Sequence, residues 1–273
     1  MTGMLGTGTS ALLAFQRALG TVSHNVANAS TPGYSRQRVD LSSRPAQVEG
    51  GHWVGQGVNA ASLQRLADGL VFARQIDSSG ELGRLRQLSS LSDRVDALFS
   101  DPATGLSGHW SEFFNAADAL AAEPGSGIAR SQLLTSAEQL AARWRTLDGQ
   151  LSALDQEAGQ RLQSAVADAN RLATEIADLN RTIHQAGGKV APDLLDAREL
   201  RITQLAALTG ATTVEQGGML NVFTSGGQPL VVGTQAMQLA TAPDPMQAGR
   251  VQLSLQTPGG DVRLPSATVS GEL

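Results

Sequence analysis

At 273 residues the chain is long enough for two ordinary domains. Its formal charge of −5 and pI near 5.4 argue against a nucleic-acid partner, which calls for a basic face. The absence of cysteine excludes disulfides and thiolate metal sites. No apolar run approaches the ~18 residues of a membrane span, so no membrane insertion is expected. The opening MTGMLGTGTSALLAFQRAL lacks the basic head, long apolar stretch and cleavage site of a secretory signal, so Sec-type secretion is not indicated, and an export route that reads no cleaved peptide stays open.

The first predicted helix runs from Thr9 to Asn28. Leu12, Phe15, Leu19, Val22 and Val26 alternate at three and four residues, which reads as the narrow seam of a coiled coil wanting one or two partner helices, or else as an ordinary amphipathic helix. The opposite face carries Gln16, Arg17, Thr21 and His24. The helix leaves through HNVANASTPGY, residues 24–34, which reads as a binding loop, an active-site loop or a hinge. Asn28 suits a left-handed helix-terminating position, and Pro32-Gly33 suits the centre of a type II turn.

From Tyr34 to Ala61 the text reads as an extended, loop-like arm in which Pro45, Gly50-Gly51, Gly55 and Gly57 forbid a helix. Trp53 there is either a locally packed anchor or a partner contact. Helical periodicity returns at Leu63, Leu66 and Leu70 and continues through Leu85, Leu88, Leu91, Val95 and Leu98, with Gly80 and Gly83 marking a bend or a domain joint. A short helix carrying Trp110, Phe113, Phe114, Ala117 and Leu120 reads as the plug of a bundle. A long tract from Gly127 to Gln185 keeps the three-four rhythm, with a phase slip near Gly159. At ~1.5 Å per residue it spans roughly 85–90 Å, which suits a rod.

Pro192 starts one more helix, with Leu195, Arg198, Ile202, Leu205 and Thr209 on one face and Gly210 closing it. Composition then shifts. Met219–Thr224, Pro229–Val232 and Val251–Leu255 read as short strands, and Gly259-Gly260 signals a hairpin. The resulting fold class is mainly α with a β-rich C-terminal module (α+β). It divides into an assembly helix and turn (1–33), an extended arm (34–61), a helical rod or bundle (62–210) and a β-rich module (211–273).

Convergent reactive groups are missing. His24, His52, His109 and His184 lie in unrelated contexts, and none is paired at metal-ligand spacing. Asp193, Asp196 and Glu199 share a helix face, where ion pairing with Arg198 and Arg201 is the expected role. GTGTS lacks the lysine and preceding strand of a phosphate loop, and GGHWVGQG lacks the spacing of a dinucleotide loop. No enzyme activity, metal or cofactor is expected.

ALGTVSHNVANASTPGYSRQRVDL, residues 18–41, resembles the N-terminal signature of the bacterial flagellar rod and hook family. Asn25, Ala27, Asn28, Gly33 and Tyr34 match it, while His24 replaces its first asparagine. WVGQGVNAASLQRLADGLVFARQ (53–75) and DLLDARELRITQLAALTGATTVEQGGMLNVFTSGGQPLVVG (193–233) resemble the hook-associated branch of that family. Members are about twice as long and end in a second heptad helix that pairs with the first. A chain ending at SGEL, residues 270–273, is therefore expected to be a fragment or truncated product.

The resemblance implies a structural adaptor between hook and filament, exported by the flagellar type III system to the extracellular flagellum. Its implied partners are further copies in a ring, the hook protein, the next hook-associated protein and an export chaperone whose site lies outside this chain. The implied assembly interface is the seam of Leu12, Phe15, Leu19, Val22 and Val26. Asn25, Asn28, Pro32, Gly33 and Tyr34 would form the helix terminator and hinge. The alternative is a secreted coiled-coil adhesion or effector protein unrelated to flagella.

Overall fold

The computed structural model describes residues 2–49, 51–100, 105–188, 190–244, 246, 251–257, 260–265 and 269–273. Gly50 and Gly259, two of the expected turn glycines, lie outside the described residues. Helix α1 (Thr2–Ala27) begins seven residues earlier than its periodicity suggests. Four short strands follow: β1 (Gln37–Ser43), β2 (Gln47–Glu49), β3 (His52–Val54) and β4 (Val58–Arg65).

The arm is a folded ribbon, not an open extension. β1 pairs antiparallel with β4 from Gln37↔Arg65 to Ser43↔Val58, with a bulge at Asp40/Leu41. The β2–β3 hairpin caps its far end. The glycines that forbid a helix permit the turns, with Gly51 and Gly57 at φ of 83° and 88°. Leu63 lies in β4 and Leu66 just beyond it, so their helical spacing is coincidental. Helix α2 (Gly69–Ser100) starts at Asp68, whose carboxylate accepts from the amides of Leu70 and Val71.

Helix α3 (Ser107–Ala122) buries no residue fully, and Trp110 and Phe114 remain half-exposed on it. It lies against the next helix and does not plug a bundle. Helix α4 (Gly127–Gln185) runs 59 residues without a break, about 88 Å. Ser126 caps its start, accepting from the Ala129 amide. Helix α5 (Pro192–Thr209) ends on Gly210 at φ 62°, as its sequence predicts.

Gly80 and Gly83 lie inside continuous α2, where the missing side chains let α5 approach. A Cβ on Gly83 would stand 2.2 Å from the Ala207 carbonyl oxygen, and one on Gly80 2.9 Å from Gly210 Cα. The strands β5 (Thr212–Gln216), β6 (Met219–Phe223), β7 (Pro229–Val232) and β8 (Gln235–Ala236) form an antiparallel meander. β9 (Gln238–Pro243), β10 (Val251–Thr257) and β11 (Gly260–Leu264) form a second.

One core joins these parts. Ile76 of α2, Val166, Leu172 and Ile176 of α4, and Ile202 and Leu205 of α5 pack with Val222, Val231, Leu239 and Leu255 of the strands. Two asparagines dock α4 on the sheets. Asn170 donates to the Leu239 carbonyl and accepts from its amide, both at 2.8 Å. Buried Asn180 donates to the carbonyls of Leu220 and Gly233 and accepts from Arg198. The buried residues of α4 crowd into 166–183, whereas its first half buries only Ala129, Ser136 and Leu147.

Candidate assembly interface

α1 presents two faces. The first lies on the ribbon and is built of small residues. Ser10 Oγ accepts from the Val58 amide at 3.3 Å, Ala14 is buried, and the Gly57 backbone presses onto Thr7 and Ser10. A Cβ on Gly57 would fall 2.2 Å from Ser10 Oγ. Thr21 and Asn25 continue this face.

The second face holds the seam. Leu12, Phe15, Leu19, Val22 and Val26 are 55–72% exposed, and equally exposed Leu5 extends the row by two places through Gly8. At ~100° per residue the two faces are centred roughly 140° apart. The ribbon face is satisfied within the chain, and the apolar face stands mostly open to solvent. The seam rhythm was legible in the sequence. Leu5 and Gly8 escaped because helix propensity at the glycine-rich start is poor.

The stretch after α1 is held by a dense set of bonds. Asn25 Oδ1 accepts from the Gln37 amide at 2.8 Å and from the Tyr34 hydroxyl at 2.7 Å, while its Nδ2 donates to the Gln37 carbonyl. Asn28 closes the helix differently from the sequence expectation. No non-glycine residue in the described chain has positive φ. Asn28 instead sends both its amide and its Nδ2 to the His24 carbonyl, which satisfies an orphan helix acceptor without a left-handed turn. The Tyr34 amide bonds the Thr31 carbonyl across Pro32-Gly33, with Gly33 at φ 79°, as position three of a type II turn requires. Gly33 packs on α5, where a Cβ would meet that of Leu200 at 3.0 Å.

The acidic row of α5 is the seat of this elbow. Asp196 accepts from the Ser35 amide and from Arg65 Nε, and Glu199 takes the other side of the Arg65 guanidinium through two bonds. Gln37 reaches Asp193, and His24 Nε2 stands 3.6 Å from the same carboxylate. The expected pairing of this row with Arg198 and Arg201 is absent. Arg201 bonds Glu175, and buried Arg198 bonds Asn180 and the Gly218 carbonyl. Four other elements thus converge on α5: α1, the turn, β1 and β4.

Electrostatics follow the burial. The Tyr34 hydroxyl is pushed above its ordinary value by burial and then by the charges of Asp193 and Asp196. Burial works to lower the Arg65 pKa, but its bonds to Glu199 and Asp196 carry it above the ordinary value. Burial lowers that of Arg198. Among the described residues no group of three His, Asp or Glu could hold a metal ion, and no helix is long and apolar enough to cross a membrane. Trp53, at the hairpin tip, is 76% exposed, which removes the reading of a locally packed anchor.

An exposed heptad seam beside a bonded elbow on a long helical body, without convergent reactive groups among the described residues, fits a class of protein: a structural subunit. A family model described as "Flagellar hook-associated protein FlgK helical domain" matches residues 92–273, and one described as "Flagella basal body rod protein" matches 5–34. The chain belongs to the flagellar hook-associated protein FlgK family, a structural flagellar family and not an enzyme family.

It is 31% identical over 275 residues to flagellar hook-associated protein 1 of Salmonella typhimurium, covering 97% of this chain and 49% of that protein. It is 28% identical to the Escherichia coli protein of the same name, covering 97% and 50%. Among solved structures, the flagellar hook junction protein FlgK from Burkholderia pseudomallei is similar with a TM-score of 0.67 at 28% identity. That match covers 72% of this chain and 37% of the other. The chain spans about half the length of the curated relatives it matches.

Proposed function

We propose that the chain is the assembly end of a structural subunit joining hook to filament in the bacterial flagellum. The observation that carries this is the exposed seam of Leu5 to Val26 in a chain whose relatives are hook-associated proteins. Covering each seam side chain stabilises by about 1.5–3 kcal/mol before the entropic cost of ordering, so a helix left bare in one chain has reason to pair in an assembly.

Its partners in this reading are further copies in a ring, the hook protein on one side and the next hook-associated protein on the other. Export proceeds through the flagellar type III route to the outside of the cell, with an escorting chaperone. Asn25, Asn28, Pro32, Gly33 and Tyr34 set the angle at which the assembly helix leaves the body. A secreted adhesion or effector protein has no observation in its favour.

Placing Phe15→Asp and Leu19→Asp together in the native gene tests the reading. Hooks should form without attached filaments and swarming should stop, while the secreted protein remains detectable. Normal motility would sink it.

A further inference from the structure

Two exposed surfaces of this chain complement each other in apolar character and in charge. Residues 1–66 hold five arginines and two acids, a net +3, so the remainder of the chain carries −8. At the end of the basic arm, Val48 and Trp53 stand opposite one another in the β2–β3 hairpin, 57% and 76% exposed. Arg44, at the entry to that hairpin, is exposed and forms no side-chain ion pair among the described residues. An aromatic anchor beside arginine is the composition of a binding hot spot.

The matching surface is on the thin half of α4. Trp144, Asp148, Leu151 and Asp155 recur at spacings of four, three and four, which places them in one stripe. Trp144 is 50% and Leu151 38% exposed, and neither carboxylate has an ion-pair partner among the described residues. Arg145, the nearest cation in sequence, projects about 90° away from the stripe.

We propose that the hairpin tip of one copy docks on the α4 stripe of a second copy. Trp53 and Val48 pack against Trp144 and Leu151, and Arg44 faces Asp148 and Asp155. Within one chain both surfaces remain partly open to solvent. The contact joins unlike patches, so it propagates from copy to copy and closes where the rotation closes a ring. This inference rests on the reading of the chain as a ring-forming subunit.

The test uses the native gene product in isolated hook-containing particles, with a photo-crosslinking amino acid in place of Trp53. The expected product is a dimer of this chain whose cross-linked peptide includes residues 144–155. Asp148→Lys with Asp155→Lys should lower the yield at least about tenfold, because like charges then face each other, and adding Arg44→Asp should restore it. Cross-links to another protein or another segment, or a yield indifferent to these reversals, overturn the docking alone. Absence of the protein from the particles overturns the assembly reading, and the docking with it.

Discussion

Arg65 shows what a single side chain decides in this fold. Its guanidinium is 12% exposed and carries Asp196 and Glu199, which are themselves largely covered. Replacing it by methionine leaves two covered carboxylates without a counter-charge, and the expected cost at the elbow is about 3 kcal/mol. Chemical denaturation should show that loss, and Arg65→Met combined with Glu199→Gln should recover part of it. Asn25→Ala removes three bonds at once, for an expected loss of about 1–3 kcal/mol, with faster hydrogen exchange at the Gln37 amide. The asparagines were visible in the sequence, because polar residues so placed at a helix end call for backbone partners. Arg65 was not. Its acceptors lie 131 and 134 positions away, and i,i+3 spacing drew attention to the wrong arginines.

At the scale of elements, helices were read more accurately than the arm. α4 and α5 matched residue for residue because a periodic apolar face marks both, and in α5 an initial proline and a capping glycine agree with it on the limits. The ribbon was missed because β1 and β4 are short, weakly alternating and glycine-flanked, so their pairing is set by the elbow and by α1 lying on them. Seam substitutions such as Leu12→Ser with Leu19→Ser should leave the melting of the monomer within about 0.5 kcal/mol, since those side chains already face solvent. The helix junctions behave differently with pH. Bonds from Arg94 hold Glu157 below its ordinary value of 4.5. Glu175 is likewise lowered: burial works against it, but Arg171 and Arg201 prevail. A carboxylate whose folded pKa is depressed stabilises fully above its unfolded value and ceases to do so as pH falls through the folded one. The melting temperature should therefore drop as pH is lowered below about 4.5, and Glu157→Gln with Glu175→Gln should flatten that dependence.

Over the whole molecule, the central core draws no side chain from residues 1–66 among the described residues. Removal of those residues should leave residues 67–273 folded, with one cooperative transition and a helical circular dichroism signal of the body's own. Loss of cooperativity in that truncated chain would contradict the division. Such independence was not legible from composition, which placed a boundary at residue 61 inside β4. The β-rich end looked like a separate module, yet its strands complete the same core as α2, α4 and α5, because Asn170 and Asn180 fasten them to the long helix. Buried amides of this kind leave no periodic trace.

The uneven burial of α4 gives it the mechanics of a propped cantilever. Residues 166–183 are clamped among strands and helices, whereas the opposite end at Ile128, about 57 Å from that clamp, is steadied more lightly, by α3 alongside it and by Arg94 on Glu157. A sideways push there loads these lighter supports first and reaches Val166 and Leu172 last. Deflection, fraying and force-induced rupture should accordingly begin at that end while the seat still holds.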